Sequence, residues 1–109
     1  MIISLEEQKR NLNVTWDDPF TNDKIIDTYG SALALIRDYA GPEVELDIIK
    51  SDEMAKQLLK EAQRYLWNDC LDEFERRYSA HINALRNRYK VLDYVQRETE
   101  IREGEEDQV

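Results

Sequence analysis

The sequence predicts an all-α fold, a small helical bundle built around one long central helix with an extended acidic C-terminal tail. Three observations carry that prediction. Between Pro19 and Gly41, Ile25, Tyr29, Ala32, Ile36 and Tyr39 recur at steps of three and four, with Ile26, Leu33 and Ala40 on the flank. They lay a wide apolar stripe along one face of a helix with a period of about 3.6 residues. Two later stretches, Met54 to Leu66 and Ile82 to Leu92, keep the same spacing. The period-two pattern of Val44, Leu46 and Ile48 is too short to make a sheet.

In chain order, Ser4-Leu5-Glu6-Glu7 fits a capping box, with serine at the N-cap and glutamate three residues on. It opens a short helix to about Leu12, anchored by Leu5 and Leu12. Asn13 to Asp18 reads as a loop from which Trp16 folds back onto the core. Of the adjacent carboxylates Asp17 and Asp18, the second is an N-cap and the first a solvated neighbour, rather than a metal or acid–base pair. Asp18 with Pro19 starts the long helix, and Gly41-Pro42 stops it. At about 1.5 Å per residue that helix spans roughly 30 Å, a small domain's diameter, so the rest of the chain packs on it. Gly30 costs about 1 kcal/mol relative to alanine and marks either a close helix approach or an exposed position.

Glu43 to Lys50 reads as irregular or briefly extended. Ser51 or Asp52 caps the next helix, whose stripe is Met54, Ala55, Leu58, Leu59, Ala62, Tyr65 and Leu66, ending near Trp67 before an Asn68-Asp69 break. A shorter piece holds Leu71, Phe74 and Tyr78. Ser79 caps a last helix with Ile82, Leu85, Tyr89 and Leu92 on the spine. Val91, Leu92, Tyr94, Val95 and Ile101 then carry apolar groups into the tail, where they either extend the core or dock on a partner.

The 109 residues have room for one domain and one modest core. The reading divides them into a helical domain, 1–90, and an acidic, partner-docking tail, 91–109. Net charge is −9, which disfavours capture of DNA or RNA by the whole surface. Residues 91–109 hold seven acids against Arg97 and Arg102, a net of −5. Arg76 to Lys90 holds five cations (Arg76, Arg77, Arg86, Arg88 and Lys90) and no acid. The single cysteine allows no internal disulfide and suits a reducing cytoplasm. Met1-Ile2-Ile3 is too short for a signal peptide, and no apolar run approaches a membrane span.

No enzyme motif and no cofactor site is visible. One histidine, His81, excludes a histidine zinc cluster and reads as sitting at the border of the core. Cys70 lies beside Asp69 and Asp72, whose charge opposes a thiolate, so it reads as a small hydrophobe. Three scattered glycines make no phosphate loop. The cations from Arg76 to Lys90, interleaved with Tyr78 and Tyr89, suit phosphate and base contacts. They equally suit pairing with Asp69, Asp72, Glu73 and Glu75, or with the acidic surface of a neighbouring subunit. Contact with a subunit or partner is the preferred reading, because complementary patches on one chain steer and register identical copies.

The order of parts resembles the small head–tail connector (adaptor, or head-completion) proteins of tailed bacteriophages. The resemblance rests on Ile3-Ser4-Leu5-Glu6-Glu7-Gln8-Lys9 with Leu12 and Val14, then Asp17-Asp18 leading into the long helix with Ile25-Ile26 and Ala32. That helix ends in Tyr39-Ala40-Gly41. A second carries Ala55, Leu58-Leu59 and Tyr65-Leu66-Trp67, and a last reads Ile82-Asn83-Ala84-Leu85-Arg86 and ends near Tyr89. It covers about residues 1–90 through hydrophobic pattern rather than catalytic signature. It implies a non-catalytic virion subunit, made in the host cytoplasm. Such subunits form a ring, commonly of twelve, under the portal. The ring extends the channel through which genomic DNA passes without specific binding, and docks the next connector or stopper protein. By the same resemblance the C-terminal segment engages the portal, which makes Tyr94, Val95 and Ile101 portal-contact candidates. An acidic helical DNA mimic or regulator of a DNA-binding partner is the alternative.

Overall fold

A computed structural model describes residues 1–41 and 44–106; of Asp93, Gln96, Arg97, Glu100 and residues 102–106 it describes the backbone alone. Pro42, expected to bar the long helix from continuing, and Asp107 at the tail's end lie outside the described residues. Six helices and no strand are present among them: α1 (Leu5–Asn11), α2 (Pro19–Ala40), α3 (Leu46–Lys50), α4 (Glu53–Trp67), α5 (Leu71–Arg77) and α6 (Ser79–Glu106).

α2 is the expected spine. Asp18 accepts a hydrogen bond from the Phe20 N–H, Pro19 occupies the first turn, and Gly41 closes the helix at φ 121°, donating to the Arg37 carbonyl. That positive φ is open to glycine and strained for other residues. Ile25, Tyr29, Ala32, Ile36 and Ala40 are buried along one face. Tyr39 is only half-buried and Ile26 is exposed, so the stripe ends on Ala40 rather than Tyr39. An added Cβ at Gly30 meets nothing within 4 Å, which settles that residue as exposed.

α4 runs antiparallel to α2. Trp67, at its end, lies beneath the Lys24 ammonium at 4.5 Å, and Gln63 donates to the Ile25 carbonyl at 3.1 Å. Ala55, Leu58, Leu59, Ala62 and Tyr65 fill the seam between the two helices. Gln63 and Gln8 are buried there as well. Gln8 donates to the Ile3 carbonyl at 2.7 Å, and its own oxygen accepts from Gln63 at 3.0 Å. A buried amide costs little once its partners are supplied, so this chain of bonds ties the N-terminus, α2 and α4 in one register. Phe74 of α5 is fully buried and packs on Tyr65 and Tyr78 at centroid distances of 5.9 and 5.1 Å.

Several expectations are corrected. Ser4 does cap α1, accepting from the Glu7 N–H at 3.2 Å, but the Glu7 carboxylate pairs with Lys60 of α4 at 2.7 Å. Trp16 stays 52% exposed, because its indole N–H is satisfied by the Thr21 hydroxyl at 3.0 Å outside the core. Asp17 is 83% exposed, as expected of a solvated neighbour, and also accepts from Lys9 and Asn22. Glu43 lies outside the described residues, and Leu46–Lys50, expected to be irregular or briefly extended, forms α3, whose one buried side chain is Ile49, while Leu46 and Ile48 face outward. Asp52 caps α4, and Met54 is exposed. Ser79 is the first residue of α6 rather than its cap. His81 is exposed, its ring tilted against Tyr78 at 5.6 Å.

Candidate functional site

α6 is the element that leaves the body. Its 28 residues span about 42 Å at the helical rise, in a molecule measuring 64 × 28 × 17 Å. Ile82, Leu85 and Tyr89 are buried against α2, α4 and α5. The helix continues without a break through Lys90, where the sequence reading separates domain from tail. From Val91 onward every described side chain is exposed.

The last anchor before the exit is Asp52. One carboxylate oxygen caps α4, accepting from the N–H groups of Met54 and Ala55 at 3.0 and 3.3 Å. The other accepts from the Tyr89 hydroxyl at 2.6 Å and from the Arg88 guanidinium. Burial pushes the Asp52 carboxyl up, but the bonds from Tyr89, Ala55 and Arg88 outweigh it and hold the group below its ordinary range. Burial and the adjacent carboxylate push the Tyr89 phenol well up. One acid thus fastens α6 to the start of α4. Around this node Ile48, Met54 and Leu92 form the lip of an open groove.

Beyond the node the apolar side chains change sides. At about 100° per residue, Ile82, Leu85 and Tyr89 share one side of α6, whereas Val91, Tyr94, Val95 and Ile101 fall within an arc of roughly 120° on the opposite side. Leu92 alone continues the core edge, at the groove. Val91, Leu92, Tyr94, Val95 and Ile101 are between 52% and 63% exposed. Tyr94 donates to Glu98 at 2.7 Å along the same helix. The portal-contact candidates Tyr94, Val95 and Ile101 are therefore brought together on one helix face that points away from the core. Of the two readings left open for the tail, core extension is excluded for them in the single chain.

The five cations do not form one patch. Arg88 turns to Asp52, and Arg77 donates to the Tyr65 hydroxyl at 3.3 Å. Arg76 is exposed on α5, while Arg86 and Lys90, one turn apart, are exposed along one edge of α6, Arg86 near enough to Tyr39 to act on its phenol. The alternative pairing with Asp69, Asp72, Glu73 and Glu75 does not occur; among the described residues Arg88 alone of the five makes an ion pair, with Asp52. Glu75 instead accepts from Tyr39 at 3.2 Å, and burial with that carboxylate pushes the Tyr39 phenol up to about 12.

Other chemistry is sparse. Cys70 is half-buried, its thiol directed at the Tyr65 carbonyl at 3.5 Å. Among the described residues no three His, Cys, Asp or Glu side chains converge as metal ligands, and no helix is long and apolar enough to cross a membrane. Sequence reasoning missed the Asp52–Arg88–Tyr89 node and the groove, which join residues 36 and 37 positions apart. The missed Gln8–Gln63 pair did leave a signal, since Gln63 lies four residues after Leu59 on the apolar face of α4. Compared with known proteins, the chain matches no family model, no curated protein and no solved structure.

Proposed function

We propose that the protein is a non-catalytic structural subunit, a head–tail connector (adaptor) of a tailed bacteriophage. In this reading it assembles as a ring below the portal, extends the DNA channel and docks the next connector or stopper protein. The observation that carries the reading is the apolar arc on the distal half of α6. Val91, Tyr94, Val95 and Ile101 lie on one side of a helix that has already left its own core, so their burial requires another chain.

An amphipathic helix laid in a groove is a common recognition mode, read out through anchors at three- and four-residue steps. Each such side chain contributes about 1.5–3 kcal/mol on full burial, so four suffice for specific docking after ordering costs. The net −5 of residues 91–109 gives the partner's groove a cationic rim and speeds encounter. The acidic surface also suits a channel component, because the duplex is repelled rather than held.

The test is truncation after Lys90, which removes the arc and keeps Ile82, Leu85 and Tyr89. The truncated chain retains the helical body and loses attachment to portal rings, as does the full chain carrying Tyr94→Ser, Val95→Ser and Ile101→Ser. Normal assembly of either variant on portals overturns the tail assignment. A chain that ignores portals and strips a protein from DNA supports the DNA-mimic reading. Salt-sensitive DNA binding lost on Arg86→Glu and Arg88→Glu supports nucleic-acid binding.

A further inference from the structure

We propose that the outward face of α2, with Phe20, Asp23 and Asp27, docks on the Arg86–Lys90 face of α6 in a second copy of the chain. The inference rests on the ring reading above and names the two faces by which copies meet. The α6 face lies one helical turn before Tyr94 and borders the distal apolar arc.

The first half of α6 is unusual for this chain. Ser79 to Leu92 contains no acid, although the whole protein carries −9. With Arg88 turned to Asp52, Arg86 and Lys90 remain exposed along one edge of the helix, one turn apart, beside exposed Asn83 and Asn87.

α2 presents the complement. Phe20, Asp23 and Asp27 follow at steps of three and four on the side opposite Ile25, Tyr29 and Ile36, and all three are exposed. Phe20 is 86% exposed, an aromatic ring on a helix whose other face is fully packed. Gly30, next along this side, faces open space, with none of the described residues within 4 Å of an added Cβ. None of the ion pairs among the described residues uses Asp23, Asp27 or Arg86.

Asp23 and Asp27 have the same one-turn separation as Arg86 and Lys90, about 6 Å along the axis. Laid side by side, two such helices set acid against base at both positions. Phe20 then rests near the guanidinium and the stems of the basic side chains, an arrangement aromatic rings favour. A two-fold contact between identical faces sets acid on acid or base on base and is repulsive. The complementary contact, α2 of one copy on α6 of the next, can repeat head to tail, which is the geometry that closes rings.

Sedimentation velocity on the full chain, without any portal, tests this. The wild-type protein associates at low salt and dissociates as salt rises. The double variants Asp23→Lys/Asp27→Lys and Arg86→Glu/Lys90→Glu each weaken association tenfold or more. Mixing the two reversed variants restores it, because every contact then joins opposite charges. Neutral versions, Asp23→Asn/Asp27→Asn and Arg86→Gln/Lys90→Gln, give the same loss should a reversal disturb folding, which circular dichroism reports. A wild-type monomer at all soluble concentrations, unimpaired reversed variants, or a mixture that stays monomeric overturns the inference. Association without portal attachment sinks the portal reading and leaves this contact standing. Portal attachment by subunits indifferent to these changes does the reverse.

Discussion

Replacing Asp52 probes the point at which α6 is fastened to the body. Its side chain is only 12% exposed and accepts four hydrogen bonds, two from the start of α4 and two from α6. Loss of an N-cap costs about 1 kcal/mol. Loss of a charge-assisted bond to a buried tyrosine hydroxyl costs about 1.5–3 kcal/mol. The Arg88 pair is partly solvated and adds at most about 1 kcal/mol. Asp52→Ala therefore destabilises the fold by roughly 2.5–5 kcal/mol, and lowers Tm by about 10–20 °C for a domain of this size. Asp52→Asn keeps a capping oxygen and loses the charge, so its cost is about half as large. The pH dependence has a definite sign. The carboxyl is held below its ordinary value when folded, so its contribution is complete above the unfolded pKa of about 4 and is lost as pH falls through the folded value. Urea unfolding of wild type and Asp52→Asn at neutral pH and at successively lower pH reads this directly. The gap between them narrows on acidification. A gap that widens, or an Asp52→Ala protein within about 0.5 kcal/mol of wild type, refutes the account of the node.

Gly30→Ala raises stability by about 0.5–1 kcal/mol in the same assay, since the added methyl meets open space in a helix interior; a loss of stability contradicts the exposed placement. Leu59→Ala, at a fully buried position of α4, costs about 2–5 kcal/mol, whereas Val95→Ala stays within about 0.5 kcal/mol in the isolated chain. A large effect at Val95 means that the arc is already covered. Gln63→Ala strands the Gln8 amide oxygen in a buried site and costs about 1–3 kcal/mol beyond the lost packing. In a double-mutant cycle with Gln8→Ala the two changes are less than additive, and strict additivity removes the inferred link between α1 and α4.

The fold was legible where local chemistry and periodicity agree. Asp18-Pro19 and Gly41 bound α2 because capping and positive φ are decided by neighbouring residues, and Ile25, Tyr29, Ala32 and Ile36 are buried because the stripe is long enough to leave one orientation. Short segments were harder. Val44, Leu46 and Ile48 alternate by coincidence, and α3 is organised by Ile49, whose burial depends on where α2 and α4 lie. Trp16 has the hydrophobicity of a core residue, yet a hydroxyl one turn into α2 satisfies its only donor at the surface. Of the candidate site, the apolar residues of the tail were visible as a list. Their separation onto the side of α6 opposite Ile82, Leu85 and Tyr89 follows from helical phase once the helix is known to run through Lys90 unbroken. The basic stretch was misleading as a block, because a helix distributes consecutive charges around its axis, sending Arg88 to Asp52 and leaving Arg86 and Lys90 exposed along another edge.

The central claim is that the distal half of α6 exists to be buried by another chain. Hydrogen exchange of the full-length protein, alone and bound to portal rings, addresses it residue by residue. The account predicts that amides from Val91 to Ile101 exchange markedly more slowly on the ring while those from Ile82 to Tyr89 are unchanged. Unaltered exchange across Val91 to Ile101, with protection appearing only in the helical body, contradicts it.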